Sequence, residues 1–176
     1  MTRIVNWCKL SVQHKILYVY IYQKVLLISL KIFFSDNVVQ NLLRNASEIR
    51  KRAYCPYSNF AVGAAILTED SKVYTGCNIE NSTLNPCICA ERTAIAKAAS
   101  DGYLKLKAVA VVAHQKNSFT APCGICRQTL SEFRGSSGDI EIYLCKPSMD
   151  KVLCTKISEL LPLSFVSYKK DSINTE

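Results

Sequence analysis

The 176-residue chain predicts an α/β fold, a sandwich of helices on a mixed sheet. Two observations carry this prediction. Helical segments alternate with short apolar strands, and an early pair of strands is joined by a tight turn. Hydrophobic residues make up 49% of the chain and charged residues 20%, which excludes intrinsic disorder as its main state. The length suits one domain with an appendage rather than two full-size domains.

The first elements predicted are a helix and a hairpin. Residues 35–37 (SDN) form a helix N-cap signal, and apolar residues at helical spacing follow them. We therefore expect an amphipathic helix over 37–53. Residues 60–67 and 73–77 then predict two strands around a turn at 69–71.

Helices and strands alternate in the second half. Residues 90–101 are alanine-rich and helical and end at Gly102, whereas 107–113 form a continuous apolar strand of the fully buried type. The remaining elements predicted are a helix over 124–134 that stops at Gly135, a strand at 140–144, another near 152–155, and a short helix at 156–161. This order is that of a single α/β sandwich.

The formal net charge of +8 is concentrated at the N-terminus. Residues 1–35 carry five basic and no acidic side chains, a charge of +5. The rest of the chain has 17 basic and 14 acidic side chains and carries +3. A mildly basic body without a basic stripe argues against nucleic acid as a partner.

Residues 16–34 are almost continuously apolar and about long enough to cross a bilayer. Lys24 at the centre and Lys31 near the end count against a membrane span, since a central lysine costs about 2.5–3.5 kcal/mol. A span or anchor stays the less favoured alternative to a loosely packed extension or mistranslated upstream sequence. We expect residues 1–35 to be an extension, 36–170 the folded domain and 171–176 a tail.

The nine cysteines are odd in number and irregular in spacing, which argues against a disulfide scaffold. We therefore expect reduced thiols and a cytoplasmic protein. Two cysteine clusters each open a predicted helix, residues 87–91 (CICAE) and residues 122–127 (PCGICR).

Together these clusters predict a catalytic zinc site. Cys123 and Cys126 form a CxxC at a helix start, where backbone N–H groups favour thiolates, and Cys89 opens a second helix that we expect at the same edge of the sheet. Three thiolates bind Zn²⁺ and leave the fourth tetrahedral position open for water, which separates a catalytic from a structural zinc. Glu91 follows on the open side, where it can move a proton between water and substrate.

Other interpretations of the cysteines stay open. The CxxC could be a redox pair, although such pairs lack a distant Cys-Ala-Glu partner. A structural zinc could add Cys87 to the three thiolates, but it would leave Glu91 without a role. In the catalytic interpretation, Arg92 and Arg127 could donate to the thiolate sulfurs and offset the net negative charge of the site.

These motifs resemble the cytidine deaminase family in its small homotetrameric form, over roughly residues 36–167. The most specific blocks are residues 54–65, 76–83, 89–98, 121–133 and 159–165. The resemblance implies a three-layer α/β/α sandwich with a mixed five-stranded sheet, and zinc on Cys89, Cys123 and Cys126 with Glu91 as the acid/base. The implied reaction is hydrolysis of cytidine and deoxycytidine to uridine, deoxyuridine and ammonia, a step of pyrimidine salvage.

Substrate contacts are implied by the same resemblance. Asn78 and Glu80 match the residues that hold the ribose 3′-hydroxyl, which an amide and a carboxylate can bind from both sides. Phe60 matches the aromatic wall beside the pyrimidine, and the Ala90 N–H would bond the base carbonyl.

Tyr57 and Phe165 match residues that reach a site across a subunit interface, so we expect a homotetramer. Free nucleoside is favoured over nucleotide, because Glu80 would repel a 5′-phosphate. Two alternatives remain. One is a zinc deaminase of another cytosine compound, blasticidin S or a nucleotide, and the other is a catalytically silent zinc-binding protein on the same fold. The motif at 77–81 (CNIEN) argues against the first, and the intact cysteine motifs argue against the second.

Overall fold

The computed structural model of the protein describes residues 37–166, which form four helices and five strands. The helices are α1 (Asn37–Arg50), α2 (Ala90–Ser100), α3 (Gly124–Glu132) and α4 (Ile157–Leu160). The strands are β1 (Val62–Thr68), β2 (Val73–Cys77), β3 (Leu106–Ala113), β4 (Glu141–Cys145) and β5 (Val152–Lys156).

All five strands belong to one mixed sheet with the order β2-β1-β3-β4-β5. The central β3–β4 pair is parallel, and the other three pairs are antiparallel. The parallel pair needs a crossover connection, and the chain makes it through α3. The predicted mixed five-stranded sheet is therefore confirmed.

Helices cover both faces of this sheet, which gives the predicted three layers. On one face, Gly63 of β1 lies so close to Ala46 and Arg50 that a Cβ there would collide with the α1 backbone. On the other face, Gly76 of β2 meets the α2 backbone in the same way, at Ala90 and Ala94. Gly63 and Gly76 lie one position apart in the β1–β2 register and so point to opposite faces.

A hydrophobic core lies between the sheet and the α2–α3 layer. Its fully or almost fully buried side chains come from β1, β3 and β4 on the sheet side and from α2, α3 and α4 on the helix side. Ile66, Val109 and Ile142 stand side by side in the register of the three central strands and form one row of this core.

Every element predicted within the described residues is present, with ends that shift by a few positions. The first helix ends at Arg50 rather than 53, and the third ends at Glu132 rather than 134. β1 begins at Val62 rather than 60, because Phe60 belongs to a loop that side chains hold in place.

Some predictions lie outside the described residues. They are the N-cap residues 35–36, the extension 1–35 with its apolar stretch 16–34, and the C-terminal tail. Between residues 37 and 166, the structure has no helix that is long and apolar enough to span a membrane.

Because α2 carries Cys89 and Glu91 at its start, the close packing at Gly76 positions the site as well as the helix. We expect Gly76→Ala to push α2 away from β2 and to lower the free energy of unfolding by about 1–3 kcal/mol. Thermal denaturation followed by circular dichroism should show a melting temperature lower by several degrees.

Gly124→Ala is the matched control, since no atom beyond its chain neighbours and its own helix backbone lies within 4 Å of a Cβ placed at Gly124. That control should melt at or slightly above the wild-type temperature, because alanine favours a helix over glycine. Equal melting temperatures for Gly76→Ala and wild type would contradict the close packing.

Candidate metal centre and active site

Two helix starts bring the predicted cysteine ligands together. Cys89 is the N-cap residue of α2 and Cys123 is the N-cap residue of α3, both with extended backbone angles and without a side-chain capping bond. Cys126 lies in the first turn of α3 and is fully buried. The three cysteines thus lie at two helix starts, where the helix dipole favours negative charge.

The spacing of the three sulfurs fits a zinc ion. The Sγ atoms of Cys89 and Cys123 are 3.8 Å apart, and all three Sγ atoms lie within 4.8 Å of one another. Tetrahedral zinc with Zn–S bonds of about 2.3 Å requires sulfurs roughly 3.8 Å apart. The three residues therefore fit three corners of a zinc tetrahedron and leave the fourth corner to another ligand.

The close approach of the thiols lowers the pKa of Cys89 and raises that of Cys126. The hydrogen bond with Cys126 is the main cause that lowers the pKa of Cys89 to about 5, and bonds with Cys123 and Arg92 add to it. The same bond to Cys89, together with burial, raises the pKa of Cys126. Without a cation the Cys126 thiol thus keeps its proton, and metal binding would release it.

Glu91, in the first turn of α2, is 4% exposed. Burial raises the pKa of its carboxyl group, and the nearby charge of Cys89 adds to that rise. A buried carboxyl group beside a metal-ligand cluster is suited to hold and release a proton during a reaction.

The two predicted arginine partners differ in their placement. Arg92 lies beside the sulfurs, where its charge and hydrogen bond help to lower the pKa of Cys89, and its Nη2 donates to the Cys87 carbonyl at 2.8 Å. Arg127 donates instead to the backbone, from Nε to Pro122 O at 2.8 Å and from Nη1 to Leu160 O at 2.9 Å. These bonds tie α3 to the loop before it and to α4.

A cavity of about 450 Å³ opens beside the sulfurs. Its lining includes most of the predicted site: Phe60, Asn78, Glu80, Cys89, Ala90, Glu91 and Cys123. It also includes residues that the sequence did not single out: Ser58, Val62, Val111, Thr120 and Ala121. Ser58 and Val62 lie in a recognised sequence block, but that block gave no reason to assign them a contact.

Glu80 and Asn78 both hold the loop that leads into β1. The Glu80 carboxylate accepts hydrogen bonds from the backbone N–H groups of Tyr57 and Ser58 at 3.0 and 3.2 Å and from the Ser58 hydroxyl. The Asn78 amide accepts from Val62 N at 2.8 Å and donates to Phe60 O at 2.9 Å. This loop-holding role is not apparent from the sequence.

Two of the six predicted substrate-binding residues, Tyr57 and Phe165, lie outside the cavity lining. The Tyr57 side chain is 51% exposed and that of Phe165 is 68% exposed. The Phe165 backbone is held on α3 by the Gln128 amide, which accepts from Phe165 N at 3.1 Å and donates to Phe165 O at 2.9 Å. Neither aromatic ring therefore lines the cavity of its own chain.

The chain is similar in sequence to a known family and to several of its members. Residues 36–138 match the family model described as the cytidine and deoxycytidylate deaminase zinc-binding region. The cytidine deaminase of Sporosarcina psychrophila is 46% identical over 127 residues, which is 72% of this chain and 90% of that protein. The cytidine deaminase of Halalkalibacterium halodurans is 44% identical over 73% of this chain and 94% of that protein.

A crystal structure of the cytidine deaminase from Burkholderia pseudomallei superposes with a TM-score of 0.66. It is 41% identical in sequence, and the match covers 72% of this chain and 98% of that one. The likeness thus extends over nearly the whole length of these relatives, in sequence and in backbone.

The metal ligands can be tested by comparing two cysteines of the same region. We expect Cys126→Ser to lose most of its bound zinc, because a hydroxyl is a much poorer zinc ligand than a thiolate. Atomic absorption on purified protein should find about one zinc per wild-type chain and a small fraction of that in the variant.

Cys87→Ser is the control, since the Cys87 sulfur accepts from Asn81 N at 3.2 Å and the metal-competent group consists of Cys89, Cys123 and Cys126. It should keep the wild-type zinc content. Loss of zinc in Cys87→Ser would instead favour the structural four-cysteine site.

Proposed function

This chain belongs to the cytidine deaminase family and deaminates cytidine hydrolytically, and we propose that Glu91 and the three neighbouring cysteines carry out this reaction. The observation that supports the assignment most strongly is geometric. Three sulfurs lie within 4.8 Å of one another, and a buried carboxyl group lies beside them on the wall of the same cavity.

Zinc held by Cys89, Cys123 and Cys126 would supply a hydroxide nucleophile near neutral pH. Glu91 accepts a proton from the attacking water and delivers it to N3 of the cytosine ring, so that the new C4–O bond forms without a free anion on the base. Glu91 then carries the second water proton to the amino nitrogen. The C4–N bond breaks, ammonia leaves, and the ring becomes that of uridine.

Binding of the base and sugar involves Ala90 at the start of α2 together with the loop and strand end that carry Phe60, Asn78 and Glu80. Phe60 provides an aromatic face for the pyrimidine ring, and the Ala90 N–H donates to the base carbonyl. Asn78 and Glu80 bind the sugar 3′-hydroxyl. Each retains capacity for it, since the Asn78 amide nitrogen has a second hydrogen and a carboxylate accepts about four hydrogen bonds.

The charge of Glu80 favours nucleosides over nucleotides. The hydrogen bond from Ser58 lowers the pKa of Glu80, so its carboxylate stays ionised at neutral pH. An ionised carboxylate beside the sugar repels a 5′-phosphate and accepts from a 3′-hydroxyl, which cytidine and deoxycytidine share. Both nucleosides are therefore proposed substrates.

A homotetramer would complete the site. Large apolar side chains are exposed on the C-terminal segment and on the neighbouring α3: Ile125, Leu163, Phe165 and Val166. Burial of such a surface against a second copy stabilises an assembly, and it would carry Phe165 and Tyr57 to a neighbouring cavity.

We assign residues 36–170 to the catalytic domain, 1–35 to an extension outside it and 171–176 to a tail. The family model, which begins at residue 36, supports the first boundary. A cytoplasmic location is supported by the cysteines between residues 37 and 166, all of which are free thiols, as expected in a reducing compartment.

Removal of the Glu91 carboxylate should stop proton transfer and spare binding. We expect Glu91→Gln to lower kcat for cytidine by about 10²–10⁴-fold, the range typical of general acid–base catalysis. The loss of cytosine absorbance and the release of ammonia measure kcat, and calorimetric titration with cytidine measures binding, which should stay close to that of wild type.

Glu48→Gln serves as the control, since Glu48 is an exposed residue of α1 that pairs with Lys51 at 2.8 Å. It should retain wild-type turnover. A Glu91→Gln protein that contains zinc and keeps near-normal kcat would show that another group moves the proton.

A further inference from the structure

Ser58 occupies a position that no predicted role explains. Ser58 lines the cavity although it is far in sequence from the three cysteines. Its hydroxyl contacts two other residues of the cavity lining, Glu80 and Phe60. The hydroxyl donates to Glu80 Oε1 and accepts from the Phe60 backbone N–H at 3.0 Å. One side chain thus links the carboxylate of the sugar side to the aromatic wall of the base side.

The same loop is held on its other side by Asn78. The Phe60 N–H is bound by Ser58 and the Phe60 C=O by the Asn78 amide at 2.9 Å, so the backbone of the aromatic residue is fixed at both ends. Between Ser58 and Phe60, Asn59 has a φ of +53°, a left-handed conformation that asparagine tolerates better than most residues. Phe60 therefore keeps one hydrogen-bonded anchor when the Ser58 hydroxyl is absent.

Glu80 depends more strongly on Ser58. Two of the three hydrogen bonds that its carboxylate accepts come from Ser58, one from the backbone N–H at 3.2 Å and one from the hydroxyl. The third comes from Tyr57 N at 3.0 Å. The backbone pair holds Oε2, whereas the hydroxyl is the group that holds Oε1.

With three of about four acceptor positions occupied, the carboxylate has roughly one left for a ligand, and its direction is fixed by the other three. A carboxylate held in this way binds a hydroxyl without first losing rotational freedom.

We propose that Ser58 is a positioning residue for substrate binding, whose hydroxyl aims the Glu80 carboxylate at the 3′-hydroxyl of the nucleoside sugar. This rests on the proposed function, in which Glu80 binds that hydroxyl. Ser58 acts on recognition of the sugar and leaves the proton transfers at Glu91 unchanged. Its removal should therefore weaken binding of substrates that carry a 3′-hydroxyl and spare those without one.

The test compares cytidine with 3′-deoxycytidine, which lacks that hydroxyl. For Ser58→Ala we expect KM for cytidine to rise about tenfold, the effect of losing support for a hydrogen bond to a charged group, with kcat within about twofold of wild type. For 3′-deoxycytidine, kcat/KM should stay within about twofold of wild type. The ratio of the two kcat/KM values in one sample does not depend on the fraction of folded protein.

Two further variants sharpen the comparison. Ser58→Thr keeps the hydroxyl at an exposed position and should restore the wild-type KM for cytidine. Ser148→Ala removes a matched serine–carboxylate bond, from Ser148 Oγ to Asp150 Oδ1 at 2.5 Å, at a site that does not line the cavity. Ser148→Ala should leave the kinetic constants of both substrates unchanged.

Equal losses for the two substrates in Ser58→Ala would overturn the proposal, because they would indicate a general role in loop structure. An unchanged KM for cytidine, or a loss in kcat alone, would overturn it as well. Wild-type protein that leaves cytidine unconverted would overturn the proposed function, and this inference with it. If the wild type is active, a contrary result for Ser58→Ala overturns only the role proposed for Ser58.

Discussion

The gathering of three thiols beside a buried carboxyl group is the constraint on which the rest of the structure depends. The sulfurs of Cys89, Cys123 and Cys126 come within 4.8 Å of one another because two helices start side by side at one end of the sheet. Each helix is fixed independently, α2 by its backbone contact with Gly76 and α3 by the bonds of Arg127 to the chain on either side. A small rotation of either helix would separate the ligands.

The opposite wall of the cavity is organised by polar side chains instead of helix packing. Glu80 and Asn78 follow β2 and reach back to the loop before β1, where they bind the backbone of residues 57–62. These bonds fix the backbone of Phe60 and the direction of the Glu80 carboxylate, the two groups that we propose bind the base and the sugar. In the proposed function the two helix starts carry out the chemistry and this loop recognises the substrate, and the β1–β2 pair connects the two regions.

Sequence patterns were sufficient for the elements and for the three cysteines that the structure brings together. Helical and strand periodicity is local, and the two cysteine motifs mark helix starts, so both could be predicted without tertiary information. The contacts of Ser58 with Glu80, 22 residues apart, and of Arg127 with Leu160, 33 residues apart, could not. They arise where loops meet after folding, and neither residue type nor spacing specifies the partner. For the same reason β1 starts two residues later than its apolar pattern indicates.

The most direct test of the account is a comparison of substrates with zinc-loaded and chelator-treated protein. Cytidine, deoxycytidine, cytidine monophosphate and blasticidin S would each be incubated with both preparations, and the loss of cytosine absorbance would be followed together with ammonia release. The account predicts conversion of the two nucleosides, little conversion of the monophosphate and blasticidin S, and loss of activity on zinc removal that added zinc restores. Zinc-loaded protein that converts neither nucleoside would contradict it.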